Sequence, residues 1–306
     1  MATSITTTYA GEFAGKYISA ALLSADTIEG GGITVKPNVK FKEVMKTLST
    51  NALVKDAACD FADQSTVTLA ERILQPEEFQ VNLELCKKDF HNDWEAIQMG
   101  YSAFDSLPPS FADFLIGHIA AKVAQKTEET IWTGVTATAG EFDGFATLLA
   151  ADATVIDVVG TTVTAANVID ELGKVVDAIP TAVYGKEDLY IYVSQSIARA
   201  YVRALGGFGA NGLGANGVNN AGTTWFNGGD LAFDGVKLFV CSGMADNDMV
   251  AAQKSNLFFG TGLLADHNEV KLIDMADLDG SQNVRVVMRF TAGVQHGIGA
   301  DIVYYT

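Results

Sequence analysis

Six consecutive residues invite a cofactor reading first: Gly207-Phe208-Gly209-Ala210-Asn211-Gly212 matches Gly-x-Gly-x-x-Gly. A dinucleotide site needs a strand before that motif and a helix after it, so that the pyrophosphate meets free helix N–H groups. Here a helical pattern precedes the glycines and none follows. Gly-Ala-Asn-Gly also recurs at 209–212 and 214–217, so the stretch 206–229 reads as a flexible loop. The four histidines, His91, His118, His267 and His296, form neither a His-x-x-x-His nor a Glu-x-x-His pair on one helix face. His118 reads as a helix-surface or intersubunit contact. His267 and His296 read as hydrogen-bonding residues that the C-terminal region could bring together. Asp274, Asp277 and Asp279 precede Gly280 but lack the closing Glu of a calcium loop, so a solvated turn is expected. No Gly-x-Ser-x-Gly elbow occurs, and Cys241 has only His267 and His296 downstream as possible bases. The expectation is no catalytic residue, no cofactor and no metal.

The composition narrows the classes further. The chain has 306 residues, 48% of them hydrophobic and 19% charged, enough to bury a sizeable core in one large domain or two intertwined ones. A formal charge of -17 argues against a groove that neutralises nucleic-acid phosphates, which needs clustered Lys and Arg. Cys59, Cys86 and Cys241 are odd in number and widely spaced, so neither a disulfide framework nor a zinc knuckle is encoded, and a reducing compartment fits best. Asp113, His118 and Lys122 interrupt the most hydrophobic helical stretch, so no membrane span is expected. Tyr17–Ala25 has the length of a signal-peptide core, but Glu12 stands ahead of it in place of a basic cluster.

The element pattern is clearer than the chemistry. Phe111, Leu115, Ile119 and Val123 recur every fourth residue, with Phe114 and Ile116 widening the stripe, and predict a long helix at 108–133. Lys122, Lys126, Glu128 and Glu129 are expected on its wet face. Ser106 would cap it, Pro108 and Pro109 fit its first turn, and Thr133-Gly134 would end it. Residues 1–32 are small and polar and finish in Gly30-Gly31-Gly32, which predicts a mobile arm. The segments STVTLAER and FQVNLELC alternate like strands and predict a hairpin turning at Gln75-Pro76-Glu77-Glu78. From about residue 150 a second unit starts. Thr164 would cap a helix whose face is Ile169, Leu172, Val176 and Ile179, and Pro180 would stop it. Leu189–Val193 reads as a strand. Ser194 or Ser196 would cap a helix carrying Ile197, Tyr201 and Leu205. Strands then dominate: Val236–Cys241, Asn256–Phe259, EVKLIDM, NVRVVMRF and ADIVYY. Strands flanking two helical units predict an α+β architecture.

In this order the elements resemble the major capsid proteins of tailed double-stranded DNA bacteriophages. The resemblance rests on EETIWTGVTATAGEFDGFATLL, where a spine helix ends in a Gly- and Thr-rich turn followed by Asp143-Gly144-Phe145. It rests also on the closing run NLFFGTGLLADHNEVKLIDMADLDGSQNVRVVMRFTAGVQHGIGADIVYYT, with Arg289 in a strand context. It implies the Hong Kong 97-like fold: an N-terminal arm at 1–32 and a β-rich segment at 33–98 containing an extended loop at about 48–85. A peripheral domain with the spine helix would follow at 99–149, an axial domain at 150–255, and strands at 256–306 returning to the peripheral domain. The implied function is a non-enzymatic structural protein that self-assembles as hexamers and pentamers into an icosahedral shell around the phage genome. The implied location is the virion, with assembly in the host cytoplasm. The implied partners are further copies of itself, a separate scaffolding protein (an expectation favoured by Met1), a portal and decoration proteins. DNA would be enclosed without sequence-specific binding. Some members cross-link a loop Lys to a neighbour's Asn, for which Lys55 and Asn268 are the residues to compare. The other readings are an encapsulin-like nanocompartment shell, which shares the fold, and a soluble enzyme using the 206–229 loop as a lid over acidic residues.

Overall fold

The computed structural model describes residues 26–51, 54, 56, 59, 66–86, 109–206, 231–262 and 271–306, with the backbone alone at 109–114 and 277. Two sheets carry the fold. The first has five strands built around β12 (Asn283–His296). Residues 283–292 of that strand pair antiparallel with β4 (Glu77–Cys86), and 284–287 pair on the other side with β11 (Lys271–Asp274). Its last four residues pair with β10 (Leu257–Gly260), which runs parallel to β1 (Thr34–Lys36). The second sheet has six strands in the order β5 (Ile156–Val158), β13 (Val303–Tyr305), β9 (Met249–Gln253), β6 (Leu189–Ser194), β8 (Val236–Cys241) and β7 (Ala232–Phe233).

The second sheet is buried on both faces, which explains why its strands read as unbroken apolar runs. On β6, Ile191 and Val193 face one core while Tyr192 faces the other. On β13, Val303 and Tyr305 divide from Tyr304 in the same way. The first core is closed by α4 (Val168–Ala178) and α5 (Gln195–Gly206) through Val168, Leu172, Val175, Ile197 and Tyr201. The second core meets the five-stranded sheet at Phe259, Ala292 and Val294, and is filled by Trp132, Phe145 and Leu149. These last three come from α2 (Pro109–Thr133) and α3 (Phe145–Ala151). A mixed α+β architecture results, as the pattern predicts.

The small-residue exit of α2 has a steric cause. Gly134 N–H bonds the Thr130 carbonyl, and Gly144 N–H then bonds the Gly134 carbonyl at 2.9 Å, so the chain folds straight back on the helix end. A Cβ at Gly134 would come within 2.4 Å of the Phe142 carbonyl oxygen, and one at Gly144 within 2.5 Å of that of Thr130. Only glycine permits this approach.

Four expectations need correction. The strand Val67–Leu74 (β3) does not pair with β4. Its partner is Glu43–Thr50 (β2), in a separate two-stranded ribbon running from Glu43 opposite Leu74 to Thr50 opposite Val67. Gln75-Pro76 is a side-step into the five-stranded sheet, because alternation identifies a strand without naming its partner. The last strand, β13, joins the six-stranded sheet and so separates from the rest of 256–306. Residues 26–32, expected to be arm, are packed: α1 (Asp26–Glu29) covers the core, and a Cβ on Gly32 would strike the Phe239 ring at 2.8 Å. Asn167, not Thr164, precedes α4 and ties back to it, its Oδ1 accepting the Thr164 N–H and hydroxyl. The buried stripe is shifted accordingly to Val168, Leu172, Val175, Val176 and Ile179, leaving Ile169 exposed. Ser106 and Pro108 lie outside the described residues.

The C-terminal strand is fastened by a polar contact. The Tyr305 hydroxyl accepts the Thr161 N–H and lies 2.9 Å from both the Thr161 carbonyl and Oε2 of Glu171, a buried carboxylate that Lys174 and Thr161 Oγ1 also contact. Burial, reinforced by Glu171, pushes the Tyr305 pKa up to about 12. Replacing Tyr305→Phe leaves these groups without their shared partner, so urea unfolding of the unassembled subunit should show a loss of about 1–3 kcal/mol.

Candidate functional site

The feature that the packed body does not account for is the β2–β3 ribbon. In its register Val44 faces Ile73, Leu48 faces Leu69 and Thr50 faces Val67, so these side chains share one face. That face is turned to water: Leu48 is 65% exposed and Leu69 71%, with Val44, Val67 and Ile73 also open. Phe41 beside the ribbon base is 71% exposed. Lys46 and Glu71 stand opposite each other as a charged pair on that same face, between the Val44–Ile73 and Leu48–Leu69 pairs, Lys40 and Lys42 are exposed beside the ribbon base, and Lys36 pairs with Glu43. A ribbon with an apolar face and a cationic flank, in a chain of net charge -17, has the character of a contact surface.

The other face of the ribbon is held at its base. Leu74 is fully buried, Met45 nearly so, and the Gln295 side-chain amide donates to the Ile73 carbonyl. One turn of the ladder further out, Arg72 Nη2 pairs with Oδ2 of Asp152, the residue that closes α3. His296 Nε2 meets the same oxygen at 2.8 Å, and Thr154 gives its N–H and hydroxyl to Oδ1. Burial pushes the Asp152 carboxyl up, but the hydrogen bonds from His296, Thr154 and Arg72 outweigh it and hold the group well below the usual carboxylate range. Beyond this anchor the ribbon leaves a cleft of about 330 Å³, bounded by Thr47, Leu48 and Ala70 on one side and Thr154, Ile298 and Ala300 on the other.

A second polar node lies at the C-terminal end of α2. Glu128, expected on the wet face, is fully buried. Its two oxygens accept the hydroxyl and the N–H of Thr27 in α1, and the Trp132 indole N–H donates to the same Thr27 hydroxyl oxygen at 2.8 Å. Burial raises the Glu128 pKa above the ordinary carboxylate value, and the Thr27 and Gly243 donors oppose the rise. Helix periodicity could not reveal this, because the residue that satisfies Glu128 is 101 positions away.

Among the described residues the sequence candidates remain apart. His118 lies half-buried on α2, whereas His296 is on β12 and serves as a hydrogen-bonding residue. His91 and His267 lie outside the described residues, as do the glycines of 207–212, Lys55 and Asn268. Cys241 is buried at the end of β8, where burial pushes its thiol well up, the reverse of what a nucleophile needs. Asp274 and Asp279 accept the N–H groups of Ala276 and Ser281 in a turn closed by Gly280 at φ 71°. Among the described residues no three His, Cys, Asp or Glu side chains converge on a metal position. Among them, too, no helix is long and apolar enough to cross a membrane.

No protein-family model matches the chain, and no curated protein matches it in sequence. Its fold does match solved structures over nearly its whole length. The capsid of the native GTA particle aligns at TM-score 0.62 with 13% identity, covering 95% of this chain and 93% of that one. The capsid of the Cyanophage P-SCSP1u aligns at 0.57 with 13% identity, covering 100% and 94%. A structure from Gordonia phage Cozz aligns at 0.60 with 11% identity, covering 95% and 89%. The chain therefore has the fold of phage capsid subunits, as its resemblance implies.

Two substitutions test the anchorage. Thr27→Val removes the hydroxyl that donates to Glu128 and accepts from Trp132, leaving the Thr27 N–H in place, and should cost about 1–3 kcal/mol in urea unfolding at pH 7. Asp152 has a lowered pKa, so its contribution is complete above its unfolded value of 3.8 and is lost as pH falls through the folded value. Asp152→Asn should therefore be less stable than wild type at pH 7, and the difference should shrink on acidification below pH 3.8. Glu128, with a raised pKa, runs the other way: its contribution is present below 4.5 and fades as pH rises.

Proposed function

We propose that this chain is the major capsid protein of a tailed double-stranded DNA bacteriophage, a non-enzymatic subunit that assembles as hexamers and pentamers into the icosahedral shell of the virion. One observation carries the reading: a subunit with the fold of phage capsid proteins from end to end holds out a ribbon whose apolar face its own body leaves uncovered. An exposed apolar strand pair is an aggregation hazard in a monomer and a contact surface in an assembly. A second copy, with its acidic surface against the cationic ribbon flank, is the partner that fits.

In this reading the ribbon of Glu43–Thr50 and Val67–Leu74 belongs to the extended loop, the five-stranded sheet with α2 is the peripheral domain, and the six-stranded sheet with α4 and α5 is the axial domain. α1 belongs to the body, and residues 1–25, the rest of the expected arm, lie outside the described residues. A separate scaffolding protein, a portal and decoration proteins would complete assembly in the host cytoplasm. The genome would be enclosed without sequence-specific contact, in keeping with a net charge of -17 that favours DNA sliding past the wall.

Electron microscopy of the expressed chain, alone and co-expressed with a scaffolding protein, should show closed shells. The double substitution Leu48→Asp and Leu69→Asp should abolish them. Because both side chains already face water, the subunit's own stability should change by no more than about 0.5 kcal/mol in thermal unfolding. Shells that form unaltered from that variant would remove the ribbon from the assembly contact.

A further inference from the structure

Arg72 and His296 meet Asp152 at the same oxygen, Oδ2, from opposite sides of the junction between ribbon and body. The Arg72 side chain is partly open to solvent, while that of His296 is 1% exposed. Oδ1 is occupied by Thr154, so the carboxylate has no second oxygen to offer. A carboxylate accepts and cannot donate, so Nε2 of His296 carries the hydrogen in this contact. Its Nδ1 is buried and finds no partner among the described residues, as suits an unprotonated nitrogen in a neutral ring. The arrangement is one anion balanced by one cation, with a neutral imidazole alongside. The charged groups facing the imidazole are Arg72 from β3 and Asp152 from the end of α3; Gln295, which accepts the His296 N–H, is its polar neighbour on β12.

We infer that His296 and Arg72 are alternative counter-ions for Asp152, and that protonating His296 releases Arg72 and lets the ribbon swing away from the body. One proton is taken up from solvent, the Asp152–Arg72 pair is replaced by Asp152–His296⁺, and the guanidinium moves into water through the cleft beside it. The pivot stays in place, because Leu74, Met45 and the Gln295 amide hold the ribbon base independently of the ion pair. Among the described residues, a cleft separates Thr47, Leu48 and Ala70 of the ribbon from the 297–300 segment of the body. An eight-residue ribbon is about 25 Å long, so a small rotation at its base displaces its far end by several ångströms.

The direction follows from linkage. Burial holds the His296 pKa below its ordinary 6.5, and the Arg72 charge adds to this against the opposing pull of Asp152. A lowered pKa means that the closed state's advantage is complete above 6.5 and is lost as pH falls below it. Acid therefore favours the released ribbon.

The test uses the full chain, kept unassembled, with spin labels at Thr68→Cys on the ribbon and Asp177→Cys on α4, in a Cys59→Ser, Cys86→Ser background. At pH 8 the label distances should form one population. Between pH 6.5 and 5 a longer-distance population should appear and grow, in step with the His296 ring signals in NMR. Arg72→Met should show the longer distances already at pH 8, and His296→Gln should keep the short ones down to pH 5. A wild-type distance that is the same at pH 8 and pH 5 overturns the proposal whichever variants fold. Release in His296→Gln equal to wild type overturns it as well.

Discussion

A two-stranded ribbon cannot hold itself up in water. It has too few neighbours to bury either face, and here one face carries Val44, Leu48, Val67, Leu69 and Ile73 in the open. Such an element depends on the body to fix its base, and its far part can be covered only by something else. Both conditions shape the rest of the molecule. The base is fixed where Leu74 enters the core and where Arg72 reaches Asp152, and Asp152 is itself placed by the end of α3. That helix is positioned in turn by the tight return at Gly134 and Gly144, which brings the chain back from the end of α2.

The body is rigid for a different reason. Its six-stranded sheet lies between two cores, so each of its central strands is fixed on both faces. Strand β12 joins the arrangement, pairing with β4 and β11 along its first ten residues and with β10 along its last four. Buried carboxylates are admitted only where donors meet them: Glu128 by Thr27 and Glu171 by Lys174, Thr161 and Tyr305. Each of these nodes ties a distant part of the chain to a helix, α1 to α2 in one case and the C-terminal strand to α4 in the other.

The sequence disclosed the elements better than their partners. The long helix, its end at Thr133, the strand Leu189–Ser194 and the helix after it all follow from local periodicity and turn residues. The pairing of β3 with β2 does not, because the alternation of VTLAERIL suits either neighbour and only tertiary packing decides. Burial of Glu128 escaped for a related reason: helical position places it beside Lys126 and Glu129, while its actual environment comes from Thr27. The cluster at Asp152 was also hidden. Its members stand at 72, 152 and 296, and of these only His296 drew notice, as a hydrogen-bonding residue. The glycine tract Gly30–Gly32 shows the opposite error, since small residues that suggest flexibility here allow close packing on Phe239.

Assembly through the ribbon's apolar face would cover Leu48, Leu69 and Ile73. Hydroxyl-radical footprinting of the free subunit and of the assembled particle measures it directly, through the oxidation of Leu48, Leu69 and Ile73. All three should be strongly labelled in the free subunit and protected in the particle, with the exposed Leu278 of α6 (Ala276–Asp279) as an internal reference for labelling. Equal labelling of the ribbon leucines in free subunits and in intact particles would contradict it.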